Sequence, residues 1–470
     1  MASSLSRGQP GRFRWRAEIL SLPQQRKTRS RSVVLDKCLW RQRNSVALMT
    51  ARGSFAKRIL GFAGLPFLSL ITPFLFLPIL ARVAGADAWL AIAVGQSSGG
   101  FFALIVALGF NTVGPPLIAL AQPSIRPRLL ATSLQARLLI WLPSAVLAGV
   151  IAAVVSPSNY RVDAAVMAVA MSLTGLSSAW FMIGLGRASL IAIYEISPRI
   201  VATVIAAVVV LNAGDVLWYP VLLVLASLVS VSLFAIRTAG FSELARRDSS
   251  AVREVFRANR SAVTTEVAGG AYNSLAVTFV GATAASAQAA AYVSGDKLYR
   301  IGQYSVSALG NALQGWVVEE GDAEFAHRIR RSFVVHGSLG LTGLAAFALL
   351  GPWLSEFLFG AEVAINEATA LGLGVATLGI ALGTSLGRIT LVGMGARRQF
   401  MISVLLAAAV GVPAILTLSA SYGAAGGAWG LAIGETVSVC TQAIFVWRIR
   451  VHKGAFIVAT TRSDDTSTEI

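Results

Sequence analysis

Residues 289–314 read AAAYVSGDKLYRIGQYSVSALGNALQ, and the placement of this stretch decides how the whole chain is read. It lies inside an apolar run long enough to cross a bilayer, yet it carries Asp296, Lys297 and Arg300. Charges in hydrocarbon are costly and face a bundle interior, a partner or a water-filled path. Set Tyr292 at 0° and advance about 100° per residue. Asp296 then falls at about 40°, Tyr299 at about 340°, Arg300 at about 80° and Gln303 at about 20°, with Ser307, Asn311 and Gln314 at about 60°, 100° and 40°. These polar side chains share a stripe roughly 120° wide, so the expectation is a membrane helix with one wet face, with Lys297 just off its edge at about 140°. The alternative is that the charges sit near an interface and snorkel. Asp296 and Arg300 lie about two to three turns inside the run, which favours the cavity.

Composition agrees. Of 470 residues, 55% are hydrophobic and 13% charged, about half the charged share of a soluble domain. Mean hydropathy is +0.70. The 44 glycines suit helices that pack closely in lipid. Cys38 and Cys440 imply no disulfide framework, and His327, His336 and His452 have no metal-ligand spacing. Net charge is +17, but much of the excess lies in one arm: up to Arg58 there are 14 Lys and Arg against Glu18 and Asp36. A basic arm beside a membrane reads as cytoplasmic retention, and no aromatic-interleaved basic face supports nucleic-acid binding. Residues 1–48 form neither a signal peptide nor a packed domain, and we expect Met49 to be the native start or this segment to be a disordered arm.

Apolar segments then recur at spanning length: Ile59–Ala81, Ala88–Phe110, Leu134–Val155, Val162–Ile183, Leu190–Leu211 and Leu217–Ile236. A second set follows at Ser261–Ala282, Ala287–Gly315, Phe333–Gly351, Ala368–Val392, Met401–Ser419 and Gly423–Val446. The expected fold is an all-α polytopic membrane protein of about twelve helices, in two six-helix halves around a central cavity. Its parts are a basic cytoplasmic arm (1–54), an N-terminal half (55–237), a charged cytoplasmic linker (238–260), a C-terminal half (261–447) and a cytoplasmic tail (448–470). In each half the longest internal loop follows the second helix, near 111–133 and 316–331. Alternate loops gather arginines such as Arg126, Arg128, Arg246, Arg247, Arg330 and Arg331, whereas the opposite loops hold only Arg82 and Arg161. That asymmetry places both termini in the cytoplasm of a cell-membrane protein.

Further intramembrane polar residues join the opening stretch. Glu195 and Arg199 lie four apart on one face beside a kinking Pro198. Glu435 sits mid-span, where we expect it to face the cavity rather than a structural partner. Asn273 is a further cavity candidate, better placed than Glu266, which lies near an interface. Arg388 shares a face with Thr377 and Thr384, close enough to the cytoplasmic side to snorkel. Arg82, at the outer end of the first span, either guards a mouth or anchors its helix. Short external loops, the absence of a phosphate-cradling glycine loop and the absence of a Ser/His/Asp set argue for a transporter rather than an enzyme, with no cofactor.

Four motifs carry a resemblance. Leu77-Pro78-Ile79-Leu80-Ala81-Arg82-Val83-Ala84-Gly85 ends the first helix, Leu108-Gly109-Phe110-Asn111 closes the second, Trp180-Phe181-Met182-Ile183-Gly184 lies between the fourth and fifth, and Tyr292-Val293-Ser294-Gly295-Asp296-Lys297 opens the eighth. Together, over about Phe55–Arg450, they resemble the polysaccharide (O-antigen type) flippases of the multidrug/oligosaccharidyl-lipid/polysaccharide exporter superfamily. Gly295-Asp296 replaces that family's usual Ala-Glu, and Pro116 stands where a basic residue is common. The resemblance implies export of a polyprenyl-pyrophosphate-linked oligosaccharide by alternating access, for surface polysaccharide such as lipopolysaccharide. It also implies membrane lipids and polysaccharide polymerase machinery as partners. Arg82 and Lys297 match basic positions of the family, whereas Arg199, Arg300, Arg388 and Glu435 come from burial alone, and Asp296, Gln303 and Asn273 from their helix faces. Two other readings stand beside it: a drug or cation antiporter of the same superfamily, and a membrane glycan polymerase or ligase. Intramembrane charge does not choose between the first two, since Arg199, Lys297, Arg300 and Arg388 face Glu195, Glu266, Asp296 and Glu435 in equal number.

Overall fold

The structure is a computed structural model that describes residues 76–318 and 322–464. The arm, the expected start at Met49, Cys38 and most of the first span lie outside the described residues. The end of that span, 76–83, is helical (α1). It is followed by α2 (Gly85–Val106), α3 (Phe110–Leu120) and α4 (Arg126–Val155). Next come α5 (Arg161–Ser172), a 3-10 turn (Leu173–Leu176), α6 (Ala179–Gly184), α7 (Ala188–Ile191), a π turn (Ala192–Ile196), α8 (Ser197–Ala213) and α9 (Trp218–Ala245). The remainder comprises α10 (Ser249–Thr283), α11 (Ser286–Val318), α12 (Asp322–Phe359), α13 (Glu367–Gly383) with a π stretch (Thr384–Leu391), and α14 (Arg397–Asp464). Among the described residues every element is helical and no strand occurs. The chain is an all-α, multi-pass membrane protein: among the described residues eight segments are long and apolar enough to cross a membrane. The long helices α10 and α11 are more polar than these, because they carry the charged residues considered below.

Burial separates inner helices from outer ones. The apolar window of α2 is 72% buried, that of α4 only 28% and that of α12 only 17%. Leu138, Leu139, Leu142, Val146 and Val150 stand exposed along α4, an apolar face that hydrocarbon covers at no cost and water would not. Close crossings bring the inner helices together, with α2 meeting α5 at Gly95 and Gly99. Helix α14 breaks at Gly423 (φ 57°, ψ −131°), a conformation that any Cβ disfavours. The chain reverses there and lays Gly430 on Ile415 and Gly434 on Gly411. One element thereby supplies the last two expected spans.

Three segments expected as loops or linker are largely helix. Within 238–260, α9 runs to Ala245 with a break at Gly240, and α10 starts at Ser249. The charges of that segment mask an amphipathic repeat: Ala251, Val255 and Asn259 are buried at four-residue spacing, which is one helix face. Ala251 and Val255 pack with Leu129, Trp180 and Phe234. Residues 111–133 form most of α3 and the start of α4. In 316–331, α11 continues to Val318 and α12 begins at Asp322.

Two of the motifs meet in that same cluster. Leu108 (φ 49°) and Gly109 (φ 71°) turn the chain from α2 into α3. The Leu108 carbonyl accepts from Asn259 Nδ2 at 3.0 Å, so the turn is tied to α10. Phe110 then reaches Trp180, ring centroids 4.7 Å apart, and Gly114 lies directly beneath the Trp180 ring. Both stretches act here as packing elements.

Candidate functional site

Helix α11 supplies the core of the site. Asp296, Lys297, Arg300, Ile301 and Tyr304 line a cavity of about 410 Å³. On the helical wheel used above, these residues span about 40° to 180°. The wet face is therefore turned about 70° from the stripe read in the sequence. Lys297 moves from the edge to the centre. Tyr292 and Tyr299 leave the wet side, both 0% exposed with hydroxyls that have no partner among the described residues. Periodicity shows which residues share a face but not which neighbour covers it, and a tyrosine ring is amphipathic enough to serve either environment.

Helices from α2 to α9 form most of the facing wall. Helix α2 gives Gln96, Ser97 and Gly100; the π turn and α8 give Glu195 and Arg199; α9 gives Tyr219. Lys297 Nζ donates to Gln96 Oε1 at 2.7 Å. Arg300 Nε donates to Asp296 Oδ2 at 2.9 Å across one helical turn, and Arg300 Nη2 reaches the Asn273 carbonyl at 3.4 Å. At the edge of the cavity Ser97 Oγ donates to the Ser274 carbonyl at 2.6 Å and accepts from Thr278 Oγ1 at 2.8 Å, joining α2 to α10. The Ser97–Thr278 bond is buried, so α2 and α10 are joined here by a polar contact in low dielectric.

The expected candidates separate cleanly. Lys297, Arg300, Asp296 and Arg199 line the cavity, and Glu195 does so as well. Glu195 and Arg199, four apart in sequence, make no ion pair with each other. The π turn at Ala192–Ile196 precedes the proline-containing start of α8, and its wider turn changes the helical phase between the two. Glu195 Oε1 accepts instead from Ser177 Oγ at 2.5 Å and from the Ser178 amide at 3.0 Å. Arg199 makes no ion pair with any described carboxylate.

Other candidates lie off the cavity wall. Glu435 is 5% exposed, accepts from Tyr272 Oη at 2.5 Å and packs against Gly379, so the buried partner, not the cavity, accounts for it. Arg388 donates to Asn311 Oδ1 at 2.5 Å. Asn273 contributes its backbone carbonyl, while Ser274 and Val277 of α10 line the cavity. Gln303 is half-buried beside Tyr299, away from the lining. Arg82 is exposed and docks on the carbonyls of Glu356, Phe357 and Leu358 at the end of α12. Glu266 accepts from Thr112 Oγ1 at 2.5 Å.

Two groups in or behind the wall escape the sequence reading. Gln96 is an uncharged residue in a polar run (Gln96-Ser97-Ser98) whose position within its span was the available signal. Arg137 is 1% exposed. It sits near the start of the expected span Leu134–Val155, where a charge passes for an interfacial one; α4 in fact begins at Arg126, which puts Arg137 about three turns inside the helix. Among the described residues no group of three or more His, Cys, Asp or Glu could hold a metal ion.

No protein-family model and no curated protein sequence matches the chain. Solved structures do. The structure of lipid II flippase MurJ in an inward closed conformation is similar at TM-score 0.61 and 12% identity, covering 85% of this chain and 87% of that one. A eukaryotic MATE transporter is similar at TM-score 0.55 and 16% identity, covering 84% and 95%. An inward-facing multidrug resistance MATE family transporter of the MOP superfamily gives 0.55 and 14%, covering 83% and 95%. At these identities the likeness is one of fold.

Proposed function

We propose that the chain is a flippase that moves a polyprenyl-pyrophosphate-linked oligosaccharide across the cytoplasmic membrane by alternating access, for surface polysaccharide synthesis. The charge on the cavity wall carries this reading. Intramembrane charges that balance in the sequence do not balance in the cavity, because Glu266, Glu435 and Arg388 lie off its wall. Arg199, Lys297 and Arg300 remain against Glu195 and Asp296. Asp296 is already paired with Arg300 and Glu195 with two serines. Of the three cations on the wall, Lys297 and Arg199 make no ion pair with a described carboxylate, and a pyrophosphate in low dielectric calls for such groups.

The fold supports transport by a chain divided near 238–260 into two halves that rock about a shared site, and one of the proteins with this fold is a lipid II flippase. A drug or cation antiporter is the second reading, favoured by the MATE transporters of the same fold and by the two carboxylates on the wall. Translocation of a pyrophosphate-linked glycolipid by the purified chain in proteoliposomes separates the two. Lys297→Ala is expected to abolish it while expression and monodispersity persist. Unchanged transport in that variant removes Lys297 from the site, and drug efflux without glycolipid movement replaces the first reading with the second.

A further inference from the structure

Arg137 is a buried guanidinium with no carboxylate at ion-pair distance among the described residues. Its Nη1 donates to the carbonyls of Ser177 at 2.7 Å and Gly175 at 3.2 Å, and its Nε to that of Ser133 at 3.3 Å. The rings of Phe110 and Trp180 lie 5.6 and 5.7 Å from its Cζ, a cation–π arrangement. Burying such a group is costly, and an apolar side chain of similar volume generally serves stability as well or better. What Arg137 does achieve is local: it draws the carbonyls of the 175–177 turn towards itself.

The same turn is hydrogen-bonded to a residue of the cavity wall. Ser177 Oγ and the Ser178 amide both donate to Glu195 Oε1, and Glu195 lines the cavity with Lys297 and Arg300. A buried cation therefore fixes a turn, the turn fixes one oxygen of a carboxylate, and the second oxygen is left to accept. A carboxylate held in this way suits the hydroxyl of a sugar, an O–H donor to a charged acceptor.

We propose that Glu195 is a substrate contact that accepts a hydrogen bond from a sugar hydroxyl of the headgroup, and that Arg137 is the positioning residue that holds it in place through Ser177. This rests on the glycolipid reading above and divides the labour of the cavity. Lys297 and Arg199 take the pyrophosphate; Glu195 reads the glycan.

The test uses the full chain in nanodiscs and two probes: polyprenyl pyrophosphate without sugar, and the same lipid carrying a disaccharide. In the wild type the sugar-bearing probe is expected to bind more tightly. Glu195→Gln should weaken it at least about tenfold, as expected for a hydrogen bond to a charged group, with the bare pyrophosphate lipid unaffected. Ser177→Ala and Arg137→Met should show the same selective loss, and Arg137→Lys should recover part of it. Ser177→Ala leaves the buried cation in place, so the positioning role stays testable if Arg137→Met does not fold. Unchanged preference in Glu195→Gln overturns the contact. Unchanged preference in Ser177→Ala together with any folded Arg137 variant overturns the positioning role. Equal binding of both probes by the wild type overturns this inference alone, whereas binding of neither overturns the proposed function with it.

Discussion

Lys297 Nζ and Gln96 Oε1 meet at 2.7 Å across the seam between α11 and α2. A neutral acceptor orients the ammonium without cancelling its charge, and that distinction can be measured. Gln96→Leu should reduce transport several-fold, because Lys297 loses a fixed direction but keeps its charge. Gln96→Glu should be worse despite restoring an acceptor, since a carboxylate at this spot neutralises the cation that the substrate needs. Transport rates in proteoliposomes check the order, and a Gln96→Glu variant as active as wild type would mean that the charge of Lys297 is not used.

Asp296 is 2% exposed and its partner Arg300 30%, so the pair is unequal. Removing Arg300 strands a buried carboxylate, at a cost of about 3–5 kcal/mol for a fully buried pair and less here because Arg300 is partly solvated. Arg300→Ala should therefore destabilise more than Asp296→Ala. The double variant should be less unstable than the two effects added, with a coupling of about 1–3 kcal/mol. Thermal unfolding of the four proteins in detergent closes the cycle, and additivity would show that the contact contributes nothing.

These two contacts also mark how far the sequence could be read. Apolar runs fix where helices cross, because only a helix satisfies its own backbone in lipid, and each expected span from the second onward has its helix. The charges in 289–314 identify the wet helix, but its rotation is set by neighbours outside the stretch, such as Gln96 and the Asn273 carbonyl. Glu435 shows the same limit. A mid-span carboxylate announces that it must be satisfied, while its partner Tyr272 lies 163 positions away and leaves no local trace. Arg137 was hidden by a misplaced helix start, and the serine partners of Glu195 lie on another turn of the chain, which its own helix face does not announce.

Arg82 sits where the last carbonyls of α12 lack helical partners. It donates through Nε to Leu358 at 3.3 Å and through Nη2 to Glu356 at 3.5 Å and to Phe357. A cation there also meets the negative end of the helix dipole. Arg82→Ala should lower stability by about 1 kcal/mol. Arg82→Lys should recover only part of that, since an ammonium lacks the planar fork. Thermal unfolding measures both. If Arg82→Ala leaves unfolding unchanged and stops transport, Arg82 serves the substrate and not the helix.

Asp248 caps α10 from outside the spans. Hydrogen bonds from Ser250 Oγ (2.6 Å) and the Ala251 amide (3.0 Å), aided by Arg128 at 3.0 Å, hold its carboxyl below the usual carboxylate range. A carboxylate depressed on folding contributes stability above its unfolded pKa of about 3.9 and loses it as pH falls through the folded value. Asp248→Ala should thus cost about 1 kcal/mol at neutral pH, with the gap to wild type narrowing below about pH 4. Asp248→Asn should keep most of the cap and lose the pH dependence. Unfolding at neutral and acid pH tests this, and a gap that does not change with pH would assign the effect to shape alone.

The crossing of α2 and α5 offers a test with its own control. At Gly99 a Cβ would lie 2.3 Å from the Ala168 carbonyl oxygen, and at Gly95 it would lie 2.5 Å from that of Ala164. Both obstacles are backbone, which cannot swing aside. At neighbouring Gly100 a Cβ meets nothing within 4 Å. All three glycines lie in one helix and incur the same helical-propensity penalty relative to alanine, about 1 kcal/mol. Gly100→Ala should therefore stabilise slightly. Gly99→Ala must push two helices apart, and overpacking of this kind costs about 1–3 kcal/mol. Because α2 carries Gln96 and Ser97 to the cavity, the displacement should reach the site. Gly99→Ala is expected to lower both the unfolding midpoint and transport. Gly100 lines the cavity, so Gly100→Ala is the control for unfolding alone and should not lower the midpoint. Equal midpoints for the two variants would mean that the helices are not held together at this crossing.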